Sequence, residues 1–377
     1  MAAALLEQGE DAFRRLFKYY KRHQPPPDLS GIVDFSRAQQ NGKVLITPLN
    51  VTSISDRDAS KAGLKPVCKW KAYRLEDYPG FMFISDPFLP GWQRYWAKQC
   101  LKIYPRKPNI CNLDLHMSPE ETKDLWEQSR EQLRLKSFVK REAKSLLEKL
   151  RWVTLGYHYN WETKRYSPDH YTAFPTDLAY LSEQVAAACG FQQFKAEAAI
   201  LNYYHFDSSL GIHVDESEMD YSKPLLSFSF GQSAVFLLGG LKRQDPPLPM
   251  FIHSGDIVIM SGRSRLLYHA VPRVVPNPEG KAIPSCLEHT MTRDSCSDDT
   301  NCQQSVEGDW EICMKYLQNS RVNMTVRQVL GVGQSFPIES DTGKKADSKL
   351  FSYHQDSEEE NQHKRQKLIN EDVAGSP

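Results

Sequence analysis

The sequence predicts an α+β fold in which a sandwich or jelly roll of short strands carries packed helices on its outside. Two observations predict it. Beyond residue 196 the segments AAILNYYHF, LLSFSF, SAVFLLGG, DIVIM and RVNMTVR are short, aromatic or β-branched, and separated by Gly, Pro and Asp turns. No helical pattern separates one of these strands from the next, which argues for antiparallel sheets packed face to face rather than a parallel α/β sheet.

At 377 residues the chain has the length for one large domain with extensions or two smaller ones. A hydrophobic content of 40%, a charged content of 25% and a mean hydropathy of −0.55 are those of a water-soluble folded chain. No apolar run approaches the roughly 20 residues of a membrane helix, so no membrane span is expected. Lys plus Arg balance Asp plus Glu at 47 each, and attraction to a polyanion must therefore come from local patches. The 8 cysteines include no CxxC pair, which fits a reducing compartment better than a disulfide framework. Cys286, His289, Cys296 and Cys302 are spaced too irregularly for a zinc site and read as free groups in a polar loop.

Read from the start, MAAALLEQGEDAF lacks the basic and apolar regions of a secretory signal, so residence inside the cell is expected. The basic aromatic stretch 13–22, FRRLFKYYKR, hints at an organelle-targeting helix, yet Glu7, Glu10 and Asp11 precede it where transit peptides avoid acids. The proline run in HQPPPDLSG ends that helix, and residues 1–77 read as an extension with little core-forming pattern. The folded domain is expected over 78–336. It opens with a strand at Phe81 to Ile84 and a helix face formed by Trp92, Tyr95, Trp96, Cys100 and Ile103. Residues 118–150 read as charged helix with Ser118 and Glu121 as a capping box, and a further helix runs from Thr176 as N-cap to Gly190. Residues 276–308 read as a polar loop, an insertion or lid. The tail 337–377 reads as disordered, and its KRQK cluster leaves nucleus, mitochondrion and cytoplasm all open as destinations.

Two features carry chemistry. In GIHVDE, His213 and Asp215 are two residues apart and project to one face near a strand end, and a second histidine, His269, follows in YHAVPR. An HxD pair alone commonly marks a surface turn. Two imidazoles and one carboxylate, however, make the facial triad that holds non-haem Fe(II) and leaves positions open for cosubstrate and oxygen. The second feature is RVNMTVR, which as a strand puts Val322, Met324 and Val326 on one face and Arg321, Asn323, Thr325 and Arg327 on the other. Alone, that pattern is an antiparallel strand with a solvated face. Beside a metal, its guanidiniums suit a dicarboxylate cosubstrate, because bidentate contacts supply both energy and orientation. Asn202 and Tyr204 share a face of the strand that enters the HxD turn. His253, just before a strand, reads as a turn or packing histidine, and Arg273 as a residue that orients nearby carboxylates.

The order N-x-Y, HxD, H, RxNxTxR, with NYYHFDSSLGIHVDESE matching in type and spacing, closely resembles the AlkB family of Fe(II)/2-oxoglutarate-dependent dioxygenases over about residues 78 to 336. The resemblance implies a double-stranded β-helix, a jelly roll with outer helices, and iron held by His213, Asp215 and His269. It implies that Arg321, helped by Tyr204, pairs with the distal carboxylate of 2-oxoglutarate, with Asn202, Asn323 and Arg327 around the other end. With Fe(II), 2-oxoglutarate and O2, such enzymes demethylate methylated bases to formaldehyde, succinate and carbon dioxide. The expected substrate is methylated adenine or cytosine in transfer RNA or DNA, single-stranded or flipped out. A protein demethylase or hydroxylase with the same iron site, or a silent nucleic-acid-binding module, are the alternatives.

Nucleic-acid contact is expected from two segments. Residues 130–151 carry eight basic side chains, among them Lys140 and Arg141, against three acidic ones, enough to neutralise several phosphates. Residues 151–168 interleave Trp152, Tyr157, Tyr159 and Trp161 with cations, as a stacking platform for an unpaired base would, and fall where the family has its nucleotide-recognition lid, about 151–170. An ordinary solvated helix and a core-filling hairpin are the competing readings of these segments.

Overall fold

Alternation along three neighbouring strands divides their residues into a greasy face and a polar one, and this division builds the architecture. In the computed structural model, which describes residues 11–40, 43–135, 144–291 and 300–336, the strand β13 (Ser320–Arg327) lies between β6 (Ala198–His205) and β8 (Leu225–Gly231). Val322, Met324 and Val326 of β13, Leu201 and Tyr203 of β6, and Phe228 and Phe230 of β8 are all buried in one apolar cluster. The intervening residues turn the other way, with Asn323 registered between Asn202 and Ser229 and Arg321 opposite Tyr204.

These strands are the centre of a nine-stranded sheet. Its other members are β1 (Val44–Ile46), β2 (Lys71–Leu75), β3 (Phe81–Ser85), β4 (Ile110–Cys111), β5 (Trp152–Gly156) and β11 (Ile257–Met260). The order is β1-β2-β3-β11-β8-β13-β6-β5-β4, antiparallel at every pairing. A second antiparallel sheet, β10-β9-β12-β7, is made by β7 (Leu210–His213), β9 (Ser233–Leu238), β10 (Leu248–Ile252) and β12 (His269–Val275). The two sheets make the expected jelly-roll sandwich, with a polar recess between their facing sides.

Helices pack on the outer faces of both sheets, most of them on the greasy face of the large one. Counted along the chain, they are α1 (Ala12–Lys21), α2 (Asp56–Lys61), α3 (Trp92–Lys98), α4 (Leu125–Leu135), α5 (Leu146–Lys149), α6 (Thr176–Ala188) and α7 (Thr300–Leu317). Trp96 of α3, Cys100 of the π-helical turn that extends it, Leu181 and Val185 of α6, and Ile312 and Tyr316 of α7 join the cluster of Val322 and Met324. Burying each such side chain is worth about 1.5–3 kcal/mol, which is why the apolar parity of β13 is fixed so firmly. Gly190 ends α6 in the left-handed region at φ +91, as its place in the sequence requires. Thr176 is the first residue of that helix rather than its cap, which is Pro175.

Three sequence expectations are corrected here. Residues 1–77 are not a bare extension, because β1 and β2 join the large sheet and α1 packs by Phe13 and Tyr20 onto the outer face of the small one. Those strands are short and interrupted by polar residues, so little periodicity announces them. The charged segment 118–150 is helical only over α4 and α5 within the described residues; Lys140 and Arg141 lie outside them. The polar loop 276–308 ends in α7, which begins at Thr300. The tail 337–377 also lies outside the described residues, and among those described no helix is long and apolar enough to cross a membrane.

Candidate metal centre

His213 ends β7 and His269 begins β12, and these two residues are registered opposite each other in the small sheet. Their rings stand 4.2 Å apart between centroids. Each ring is held the same way: His213 Nδ1 lies 2.9 Å from the Gly211 carbonyl and His269 Nδ1 lies 3.1 Å from the Leu267 carbonyl. A carbonyl only accepts, so Nδ1 of each ring carries the proton and Nε2 keeps its lone pair. Asp215 follows on the loop after β7, with Oδ2 3.6 Å from His269 Nε2. One donor atom from each of His213, Asp215 and His269 lies within 4.8 Å of the others, and this is the metal-capable group of three found among the described residues.

Electrostatics favour ligation. Burial, with the neighbouring His269, pushes His213 down to about 4, so its ring is a neutral donor at physiological pH. Burial would raise Asp215, but Arg327 and the two histidines outweigh it and hold the carboxyl well below its ordinary range. Two imidazole nitrogens and one ionised oxygen suit ferrous iron, leaving room for three further ligands.

Behind Asp215 runs a buried ladder of alternating charge. Arg327 Nη2 donates to Asp215 Oδ1 at 3.2 Å, and its Nε is ion-paired with Glu218 Oε1 at 2.9 Å. Arg265 Nη2 donates to Glu218 Oε2 at 2.6 Å, and Tyr166 donates its hydroxyl proton to Glu218 Oε1 at 3.3 Å. Glu218 and Arg265 were not singled out from the sequence. Glu218 sits in the HVDESE segment three residues past Asp215 and was open to notice; Arg265 has no local signal, since its partner is far away in the chain.

The recess between the sheets starts at this cluster and is lined by Asn202, Tyr204, Ser227, Ser229, Arg321 and Asn323, with Phe236, Ile252 and Met260 as apolar walls. Its polar floor is the non-solvated face of β13, where Arg321, Asn323 and Arg327 are 3%, 6% and 4% exposed. Arg321 donates from Nη2 to Ser229 Oγ at 2.9 Å, and its guanidinium lies over the Tyr204 ring. Its Nε and Nη1 are buried with no hydrogen-bond partner among the described residues. Two orphaned donors on one buried guanidinium ask for a carboxylate, because unpaired burial is costly. Asn323 Nδ2 is already used by Ser227 Oγ and the Phe228 carbonyl. Arg327 likewise spends its donors on Asp215, Glu218 and the Thr325 carbonyl, so it braces the metal carboxylate.

A second, wider cleft opens on the other side of the triad. It shares Asn202, Leu210, His213, Asp215 and Arg327 with the inner recess and is walled by Tyr159, Trp161, Lys164, Tyr166 and Tyr268. Tyr159, Trp161 and Tyr166 come from a hairpin closed by the Tyr157–Tyr171 and Asn160–Arg165 bridges, and Tyr268 is the residue before β12. Tyr159 and Trp161 meet edge to face at 4.6 Å, and Trp152, on β5 beside Asn202, backs Trp161 at 5.7 Å. Tyr157 does not line the cleft, against expectation: it packs on Tyr171 and Phe336. His253 stands apart, between Ser233 and Asp34. Among the described residues Arg273 pairs with no carboxylate; its Nη1 donates to the Arg22 carbonyl and pins the end of α1. Cys286 and His289 join no metal-capable group among the described residues, Cys296 lies outside them, and so does the side chain of Cys302.

Known proteins share this arrangement. The family model of the 2OG-Fe(II) oxygenase superfamily matches residues 80–327. The chain is 60% identical over 359 residues to the nucleic acid dioxygenase ALKBH1 of Homo sapiens, covering 92% of this chain and 91% of that one. It is 61% identical over 347 residues to the protein of the same name in Mus musculus, with 90% and 89% covered. To the DNA N(6)-methyladenine demethylase ALKBH1A of Arabidopsis thaliana it is 31% identical over 358 residues, with 84% and 96% covered. Matches of this extent, over a jelly roll whose three metal-capable side chains face an arginine-ended recess, make the chain a member of the AlkB family of oxygenases dependent on Fe(II) and 2-oxoglutarate.

Proposed function

We propose that this protein removes methyl groups oxidatively from adenine or cytosine in nucleic acid, in transfer RNA or in unpaired or flipped-out DNA. The observation that carries the reading is the position of the triad, at the junction between an inner recess ending in Arg321 and an outer cleft walled by aromatics. His213, Asp215 and His269 would hold the iron, Arg321 would take the distal carboxylate of 2-oxoglutarate at its guanidinium, and Asn202 would border the metal end.

Bound iron would let O2 act as the oxidant, one oxygen atom going to succinate as 2-oxoglutarate is oxidised with loss of carbon dioxide and the other hydroxylating the methyl group. The chain does the rest. Carbonyls of Gly211 and Leu267 keep both imidazoles aimed, Arg327 fixes the carboxylate, and Phe236, Ile252 and Met260 exclude water from the recess. Across the cleft, Tyr159 and Trp161 offer ring surfaces for an unstacked base and Lys164 a cation for its phosphate. A hydroxymethyl on a ring nitrogen then collapses to formaldehyde and the bare base. Relatives named for nucleic acid, DNA and transfer RNA support this substrate class over a protein substrate.

Turnover of methylated transfer RNAs and single-stranded DNAs, read by mass of the nucleosides, tests the proposal. Wild type should yield one formaldehyde per base restored, and Asp215→Ala should yield none while melting as a folded protein. Full activity in Asp215→Ala, or methylated histone peptides as the sole substrates, would sink it.

A further inference from the structure

We propose that Glu218 is a positioning residue that couples the aromatic hairpin over the cleft to the metal-binding carboxylate. The proposal rests on the reading of Asp215 as an iron ligand and goes beyond it.

Glu218 has 2% of its side chain exposed and makes three polar contacts, each with a different part of the protein. Through Oε1 it is ion-paired with Arg327 Nε at 2.9 Å, and Arg327 Nη2 grips Asp215 Oδ1. Through Oε2 it takes Arg265 Nη2 at 2.6 Å, and Arg265 in turn donates to the carbonyls of Lys223 and Asp215. The third contact is the Tyr166 hydroxyl, which comes from the hairpin. Tyr166 touches Tyr159, and Tyr159 both meets Trp161 and accepts a hydrogen bond from Ser217, the residue before Glu218. The hairpin that would close on a base is thereby linked to Asp215 through two side chains, Glu218 and Arg327.

A guanidinium is planar and holds its donors in a fixed fork. If Glu218 shifts, Arg327 must turn as a plate, and the Nη2 that holds Asp215 Oδ1 moves with the Nε that Glu218 holds. Arg265 gives Glu218 a counter-charge that does not come from Arg327, so the carboxylate is held on two sides. A change in Tyr166 as a base enters the cleft is thus transmitted to the carboxylate oxygen opposite the metal-facing one. Ion networks of this kind also serve packing alone, which is why the test reads the metal and not only stability.

The experiment uses the metal-free full chain titrated with Co(II), whose absorption bands report ligand geometry, with 2-oxoglutarate and with or without a single-stranded oligonucleotide carrying a methylated adenine. Glu218→Gln should bind Co(II) about 10–100-fold more weakly, the usual effect of losing a partner behind a ligand, with Glu218→Asp recovering part of the loss. Tyr166→Phe, which deletes one oxygen and keeps the ring, should still bind the oligonucleotide by fluorescence anisotropy but lose the change that it causes in the wild-type Co(II) spectrum.

Unaltered Co(II) affinity in Glu218→Gln, alongside loss of Co(II) in Asp215→Ala, would overturn the proposal and leave the metal assignment standing. Unaltered affinity in both variants would overturn both. Should Glu218→Gln fail to fold, Tyr166→Phe decides alone: a spectral change equal to wild type, or no change in wild type itself, overturns the coupling.

Discussion

Arg321 and Tyr204 are paired across β13 and β6, with the guanidinium carbon 5.2 Å from the centre of the phenol ring. Burial lowers Arg321 from its ordinary pKa and raises Tyr204 to about 12, so the pair presents one cation and one neutral hydroxyl at any physiological pH. Nη2 reaches Ser229 while Nε and Nη1 have no partner among the described residues, so the guanidinium keeps donors for a carboxylate. Arg321→Ala should raise the KM for 2-oxoglutarate by about 10–100-fold, the worth of a charge-assisted hydrogen-bond pair. At saturating cosubstrate kcat should fall little. Arg321→Lys should recover only part, because an ammonium lacks the fork. Steady-state kinetics with cosubstrate varied checks all three, and an unchanged KM would place the dicarboxylate elsewhere.

Ser229 is the partner that fixes the rotation of this guanidinium. Ser229→Ala removes the acceptor of Arg321 Nη2, together with a longer 3.3 Å bond from Asn323 Nδ2, at a net cost of about 1 kcal/mol, and frees the guanidinium to turn. A rise of roughly 5-fold in the same KM, smaller than that of Arg321→Ala and absent from oligonucleotide affinity, is the expected outcome. Isothermal binding of 2-oxoglutarate to the Mn(II) form measures it.

Metal loading should stabilise the fold. His213, Asp215 and His269 tie β7, its following loop and β12 together, and a ligand that binds only the native state at about 100 times its Kd adds about 2.7 kcal/mol. Mn(II) should therefore raise the Tm of metal-free protein by a few degrees, and EDTA should reverse it. Asp215→Ala should show neither shift in calorimetry.

Trp161 and Tyr157 separate the recognition surface from its support. Trp161 walls the cleft, whereas Tyr157 packs at an angle against Tyr171 and edge-on against Phe336, away from the cleft. Trp161→Ala should weaken binding of a single-stranded oligonucleotide by about 1–3 kcal/mol, the range for one stacked base. Tyr157→Ala should cost stability and leave affinity near wild type. Anisotropy titrations beside thermal melts distinguish them, and equal losses of affinity would show that the whole hairpin is one surface.

The uneven legibility of this site has physical causes. The face of β13 could be read because strand parity is rigid: once Val322, Met324 and Val326 are apolar, Arg321, Asn323 and Arg327 must share the other side. His213 and Asp215 were visible for the same reason. Parity could not be carried through the hairpin, because β5 stops at Gly156, where φ is +71 and any Cβ would stand 2.1 Å from the Glu197 carbonyl oxygen. After that break the facing of Tyr157, Tyr159 and Trp161 depends on hairpin bridges that no period announces. Arg265 was hidden by distance, since only the fold brings it to Glu218. Ser227 and Ser229 were legible in LLSFSF as the polar members of an alternating strand, and their use by Asn323 and Arg321 was not.

A second charged cluster, away from the metal, makes stability depend on pH in a stated direction. Burial by itself would lower His253, but contact with Asp34 and the charges of Asp256 and Asp34 raise it above 6.5. The same contact, with hydrogen bonds from Ser36, holds Asp34 down at about 2 against burial. Asp34 precedes the turn after Val33, which bridges to Met250 of β10, so the pair fastens the N-terminal segment to the small sheet. A raised histidine stabilises fully below its unfolded pKa of about 6.5 and ceases to as pH climbs through its folded value. The depressed Asp34 contributes above about 3.9 and fails only as pH falls towards 2. Asp256, pushed up to about 7 by burial, adds a loss of the same sign as the histidine's when pH rises. Maximum help from the His253–Asp34 pair is therefore expected between about pH 4 and 6.5, while the loss from Asp256 runs from about 3.9 to its folded value. His253→Gln should lower Tm more at pH 5.5 than at pH 8.5, by a difference on the order of 1 kcal/mol between the two conditions. Asp34→Asn should show the same pattern, and in the double variant the second substitution should add little. A penalty for His253→Gln that is equal at both pH values would mean that the ring only packs there and carries no charge.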